Sequence, residues 1–114
     1  MEIYSKRQEK VSKLIQRDLA DIFQKEAQLF KGALITVTKV RVSPDLSYAK
    51  VYLSIFIPGD DSASVMEAIQ AQASNFRYAL GKKIKNQVKK IPELAFFMDD
   101  SLDYIDNLDK LINK

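Results

Sequence analysis

The sequence predicts an α+β domain of order α-β-β-α(α)-β-α, and three observations predict it. Apolar residues recur at helical spacing over residues 7–27, again from Ile69 onward, and once more from Leu102. Two stretches of alternating polarity lie between the first two of these segments, joined by Ser43-Pro44-Asp45-Leu46-Ser47. A third short apolar stretch, Leu94 to Met98, follows Pro92. A chain of 114 residues can build one ordinary core but not two, so residues 1–114 are expected to form a single domain.

The first helix is expected over Arg7–Ala27, with Val11, Leu14, Ile15, Leu19, Ile22 and Phe23 on its apolar face. Ser5 and Gln8 have the spacing of a capping box, which puts the N-cap at Ser5. Leu34 to Ser43 is rich in Thr and Val and is expected as a strand. Pro44 presets φ and Asp45 can bond nearby backbone, so the next residues should turn. Tyr48 to Ile57 is the second strand, and the short link makes the pair antiparallel. Ala49, Val51, Leu53, Ile55 and Ile57 share one parity and should face the core; Tyr48, Lys50, Tyr52, Ser54 and Phe56 share the other. Ser64 and Glu67 form a second candidate capping box. Ile69, Ala73, Phe76, Leu80, Ile84, Val88 and Ile91 then keep one helical phase, which allows one long helix or two meeting at a kink, stopped by Pro92. Asp100 or Ser101 should cap a last helix carrying Leu102, Ile105, Leu108, Leu111 and Ile112.

Composition removes several functions. There is no Cys and no His. The chain therefore lacks a thiolate nucleophile, a disulfide framework, the commonest general base and the commonest transition-metal ligands. The first seventeen residues contain no continuous apolar core of a secretory signal, and no apolar run reaches the length of a membrane span. A cytoplasmic protein with no cofactor and no membrane partner is expected.

Net charge is only +3, but it is unevenly placed. Residues 77–90 carry six Lys/Arg and no Asp/Glu, whereas residues 91–114 carry two and six. On a helix, Lys82, Lys85 and Lys89 would share one face and Lys83 and Lys90 another, over an apolar underside of Ile84, Val88 and Ile91. Such an arc of cations, extended by Arg77, suits phosphates and their counterions. The competing explanation is a solvated helix face. Solvated helices usually mix both signs, which weighs against it. Tyr48, Tyr52 and Phe56 share a strand face that could stack bases. Burial of that face under a helix is the preferred expectation. Asp100, Asp103 and Asp106 align at steps of three and could hold a divalent cation or form a paired-carboxylate site. Solvated charge at a helix N-terminus explains them more simply.

Two segments carry a resemblance. Val42-Ser43-Pro44-Asp45-Leu46-Ser47-Tyr48-Ala49-Lys50-Val51-Tyr52-Leu53 resembles the hairpin signature of the ribosome-binding factor A family, bacterial small-subunit assembly factors. Lys90-Ile91-Pro92-Glu93-Leu94 and the Asp99-Asp100-Ser101 that follows its strand resemble the family's other signature, and Arg7, Gln8 and Val11 echo its first helix. The resemblance implies a KH-like (type II) fold, α-β-β-α-kink-α-β with a three-stranded sheet packed on helices. The family's kink is built on Ala-x-Gly. It matches Ala73-Ser74-Asn75, with Asn for Gly, or Ala79-Leu80-Gly81. The resemblance further implies binding to the immature 30S subunit and its 16S rRNA during late maturation, assistance to processing, and departure before translation, with no catalytic residue.

The leading expectation is thus a monomeric ribosome assembly factor with no small-molecule substrate. Its expected RNA-binding residues are Arg77, Lys82, Lys83, Lys85, Lys89 and Lys90, the kink residues Ala73, Ser74 and Asn75, and Arg7 and Lys10 of the first helix. The alternatives are a module whose basic helix docks an acidic protein, and a small hydrolase using the C-terminal carboxylates.

Overall fold

The first helix begins with a complete capping box. In the computed structural model, which describes residues 4–26, 30, 32–59 and 61–99, α1 spans Lys6–Lys25. Gln8 N–H donates to Ser5 Oγ (3.0 Å) and Ser5 N–H donates to Gln8 Oε1 (2.9 Å), so two otherwise orphaned amides are satisfied. Val11, Ile15, Leu19, Ile22 and Phe23 form its buried stripe.

Strand β1 (Leu34–Val42) pairs antiparallel with β2 (Tyr48–Phe56), and β2 pairs parallel with β3 (Glu93–Met98), giving the order β1-β2-β3. Ala49, Val51 and Leu53 face the core as expected. β1 contains a bulge at Thr38, because Val37 pairs with Leu53 and Lys39 with Tyr52. The bulge switches parity within one strand. Val37 before it and Val40 and Val42 after it all face inward, while Lys39 and Arg41 face out. β1 is an edge strand, and α1 covers its free edge. Gln8 Nε2 donates to the Val42 carbonyl (2.9 Å), Gln16 Nε2 to the Val37 carbonyl (3.0 Å), and Val42 N–H donates to Tyr4 Oη (2.7 Å). Such cover removes the free donors and acceptors that invite another strand.

α2 (Ser62–Ala71) and α3 (Ala73–Ile84) complete the α-β-β-α-kink-α-β order of a KH-like fold, with all three helices on one face of the sheet. Four phenylalanine rings close the core. Phe23 lies 4.8 Å from Phe76 and 6.0 Å from Phe96, and Phe30 lies 6.1 Å from Phe76.

Several expectations need correction. The break falls at Gln72, not within Ala73–Asn75 or Ala79–Gly81. Gln72 has φ −108° and ψ 20°, a conformation open to any residue, so the kink needs neither Gly nor Asn and leaves no mark in the sequence. Its N–H bonds the Ile69 carbonyl (3.0 Å), and its own carbonyl accepts from Phe76 N–H (3.0 Å), which starts α3. α2 begins at Ser62, so Ser64 lies inside the helix and does not cap it. α3 ends at Ile84, well before Pro92. Gln87 N–H turns back to the Ile84 carbonyl (2.8 Å), and the chain then reverses to bring Glu93 N–H to the Ser47 carbonyl (2.9 Å). Lys85, Lys89 and Lys90 are therefore not on one continuous helix. The face of Tyr48, Tyr52 and Phe56 is not packed under α1, α2 or α3; Tyr48 is 37% and Phe56 69% exposed. The expected last helix and its carboxylates from Asp100 onward lie outside the described residues.

Gln8 both caps α1 and ties it to β1. Gln8→Ala should lower the unfolding free energy by about 1–3 kcal/mol, since it leaves the buried Val42 carbonyl unpaired. Urea denaturation checks this, and parental stability would show that the tie contributes nothing.

Candidate nucleic-acid interface

The site is a groove of about 880 Å³ between α1, the β1–β2 turn and the α3–β3 link. On α1, Arg7, Lys10, Lys13 and Arg17 recur at steps of three and four, which places them along one flank beside the buried stripe. Lys89 and Lys90 line the opposite wall, and Val11, Leu14, Pro44, Leu46 and Val88 supply an apolar floor.

The turn is held by its own polar groups. Asp45 Oδ1 accepts from Ser43 Oγ (2.8 Å), Ser47 Oγ (2.7 Å) and Ser47 N–H (3.2 Å). The Ser47 and Ser43 hydroxyls, the Ser47 amide and the charge of Lys90 lower the Asp45 carboxyl from 3.8 to about 2. The group is thus ionised at any physiological pH, and its Oδ1 is committed to the turn. Leu46 has φ 60°, uncommon for a bulky residue, and this turns its side chain onto the core under the groove.

Two cationic walls face each other because the α3–β3 link is latched. Arg77 Nη2 donates to the Ile91 carbonyl (2.8 Å), and Arg77 Nε donates to the Pro92 carbonyl (3.2 Å). Lys83 Nζ bonds Asp21 Oδ2 (2.6 Å), joining α3 to α1 and lowering the Asp21 carboxyl with help from Lys25. Val88 and Ile91 pack on the core, and Ile91 sits against Gly81, where an added Cβ would lie 3.5 Å from Ile91 Cγ1.

The residues expected to bind RNA therefore divide. Arg7, Lys10, Lys89 and Lys90 come together in the groove. Among the described residues none of these four forms an ion pair. Arg77 works as the latch. Lys82 lies over the Tyr78 ring (4.7 Å to the centroid), and Lys82, Lys83 and Lys85 cluster at the C-terminus of α3, where positive charge complements the helix dipole. Ala73, Ser74 and Asn75 form the first turn of α3 and do not line the groove. Lys13 and Arg17 do line it but stand outside the residues expected from sequence. Their spacing from Lys10 is a readable signal, masked by nearby acids: Glu9 bonds Lys13 (3.3 Å) and Asp18 bonds Arg17 (3.3 Å).

Chemically, the groove offers cationic side chains, the Asp45 carboxylate, the Gln87 amide and apolar contact. Among the described residues no cluster of three or more His, Cys, Asp or Glu could hold a metal, and no helix is long and apolar enough to cross a membrane. An array of flexible cations over an apolar floor fits a phosphodiester backbone, which it can neutralise without reading bases.

The ribosome-binding factor A family model matches residues 7–112. A ribosome-binding factor A of Cytophaga hutchinsonii is 44% identical over 111 residues, spanning 96% of this chain and 83% of that one. That of Chloroherpeton thalassium is 44% identical over 108 residues, spanning 95% and 86%. The crystal structure of ribosome-binding factor A from Thermus thermophilus is similar with a TM-score of 0.64 at 25% identity, covering 80% of this chain and 94% of that chain. A homology model of the Thermus thermophilus factor, fitted into the cryo-EM map of a 30S complex, is similar with a TM-score of 0.59 at 26% identity, covering 76% of this chain and 89% of that chain.

Arg77→Lys keeps the charge but loses the planar fork that reaches two carbonyls. The Glu93 amide should then exchange with solvent faster, while amides in the middle of α1 keep their protection. Hydrogen exchange followed by NMR checks this, and unchanged Glu93 protection would dismiss the latch.

Proposed function

The chain belongs to the ribosome-binding factor A family, and from that premise we propose that it binds the immature 30S subunit through its 16S rRNA and assists late maturation and processing. It acts as a cytoplasmic monomer, without cofactor or small-molecule substrate. The family is one of ribosome-binding factors, not of enzymes. The observation that carries the proposal is the convergence of Arg7, Lys10, Lys13 and Arg17 on one wall and Lys89 and Lys90 on the other.

The physics favours backbone recognition. A folded rRNA helix presents phosphates and 2′-hydroxyls, and side chains cannot read its deep major groove. Cations that neutralise phosphates release condensed counterions, so affinity falls steeply with salt. The latch gives this wall a fixed position, so less ordering is needed on binding.

The competing partner is an acidic protein. Lys89→Glu combined with Lys90→Glu should weaken co-sedimentation with immature 30S particles by about tenfold or more, and should reduce the salt slope by about two. Lys82→Glu, away from the groove, should cosediment nearly as the parent does. Ribonuclease digestion should release the parent. A complex that survives digestion, or a groove variant that binds as the parent does with a native circular dichroism spectrum, would overturn the reading.

A further inference from the structure

We propose that the sheet face turned away from the helices is a second nucleic-acid contact, one that stacks the bases of an unpaired RNA segment. It goes beyond the groove and lies on a different surface, so neither depends on the other.

The bulge at Thr38 creates this face. After the parity switch, Lys39 stands in cross-strand register with Tyr52, and Tyr52 with Phe97, one outward row across all three strands. Tyr52 and Phe97 have ring centroids 5.8 Å apart, and Lys39 Nζ lies 5.0 Å from the Tyr52 ring centroid. The neighbouring row carries Arg41, opposite Lys50. Apolar exposure concentrates on the same face: Leu34 is 64% exposed, Phe56 69% and Phe97 40%. At the hairpin end, Tyr4, Tyr48, Arg41 and Lys50 help to line a pocket of about 270 Å³, where Arg41 also lies 4.4 Å from the Tyr4 ring centroid. Among the described residues Glu93, opposite Tyr48, is a carboxylate on this side; Asp99, at the end of β3, accepts a hydrogen bond from the Thr38 hydroxyl.

Each exposed aromatic alone is ordinary for a strand. Three cations interleaved with a row of rings are not explained by strand propensity. The pattern fits an occupant with flat apolar surfaces and a negative backbone. Unpaired RNA has both, whereas a duplex hides its base faces. A protein partner fits less well, because the buried centres of protein interfaces are depleted of charge.

The test uses the full chain, a fluorescein-labelled oligouridylate and an RNA duplex of equal length. The parent should bind the oligouridylate, with quenching of tyrosine fluorescence. Tyr52→Leu combined with Phe97→Leu should weaken that binding roughly tenfold or more while leaving duplex binding unchanged. Should that variant not fold, Lys39→Gln combined with Lys50→Gln should weaken it several-fold. Lys89→Glu with Lys90→Glu should weaken duplex binding more than oligouridylate binding, the reverse of the face variant. The proposal is overturned if the parent binds no oligouridylate, or if a folded face variant binds it as the parent does. It is equally overturned if the face variant keeps oligouridylate binding but loses a ribonuclease-resistant contact with 30S particles, since the face would then dock protein. Failure of the parent to bind 30S particles would contradict the groove reading and leave the oligouridylate result standing.

Discussion

Four phenylalanine rings hold the molecule together, and the remaining structure is arranged around them. Phe23 comes from α1, Phe30 from the link to β1, Phe76 from α3 and Phe96 from β3. Aromatic rings at 4.8 to 6.4 Å with tilted planes bury large areas and favour particular geometries. Phe76 has to reach this cluster while Val65, Met66 and Ile69 pack over the sheet. One straight helix would have to serve both contacts, and the break at Gln72 lets α2 and α3 meet them separately. The same packing brings α3 alongside α1, and so decides where the α3–β3 link can run.

That link turns a helix C-terminus into a binding wall. The acid-free stretch of residues 77–90 looks uniform in sequence, but its members have different tasks. Arg77 grips the carbonyls of Ile91 and Pro92, Lys83 joins α3 to Asp21, and Lys89 and Lys90 are the residues delivered to the groove. Opposite them, α1 presents the flank of Arg7, Lys10, Lys13 and Arg17. One helix thus covers the free edge of β1 through Gln8 and Gln16 and offers its cationic side to solvent.

Local signals were legible and long-range ones were not. The capping box of Ser5 and Gln8, the turn around Asp45 and the parity of Ala49, Val51 and Leu53 are all set by residues a few positions apart. The kink was not legible, because Gln72 sits in a conformation that asks for no special residue. The end of α3 was not legible either. Val88 and Ile91 keep helical phase, yet they reach the core from a reversed chain that Arg77 holds. The bulge could have been read: in β1 the apolar residues are Ile35 and Val37 before Thr38, then Val40 and Val42 after it. Half the groove was visible as the basic stretch. Arg7 and Lys10 were expected on the first helix as well; Lys13, Arg17 and the meeting of the two walls needed the fold, since α1 and residues 89–90 are distant in sequence.

The central claim is that rRNA lies between α1 and the α3–β3 link. Ultraviolet crosslinking of the intact chain to immature 30S particles, followed by mass spectrometry of the attached peptides, tests it most directly. The account predicts 16S rRNA nucleotides on peptides covering Arg7 to Arg17 and Gln87 to Lys90. Crosslinks confined to ribosomal proteins, or to α2 and the N-terminal turn of α3 with none on either wall, would contradict it.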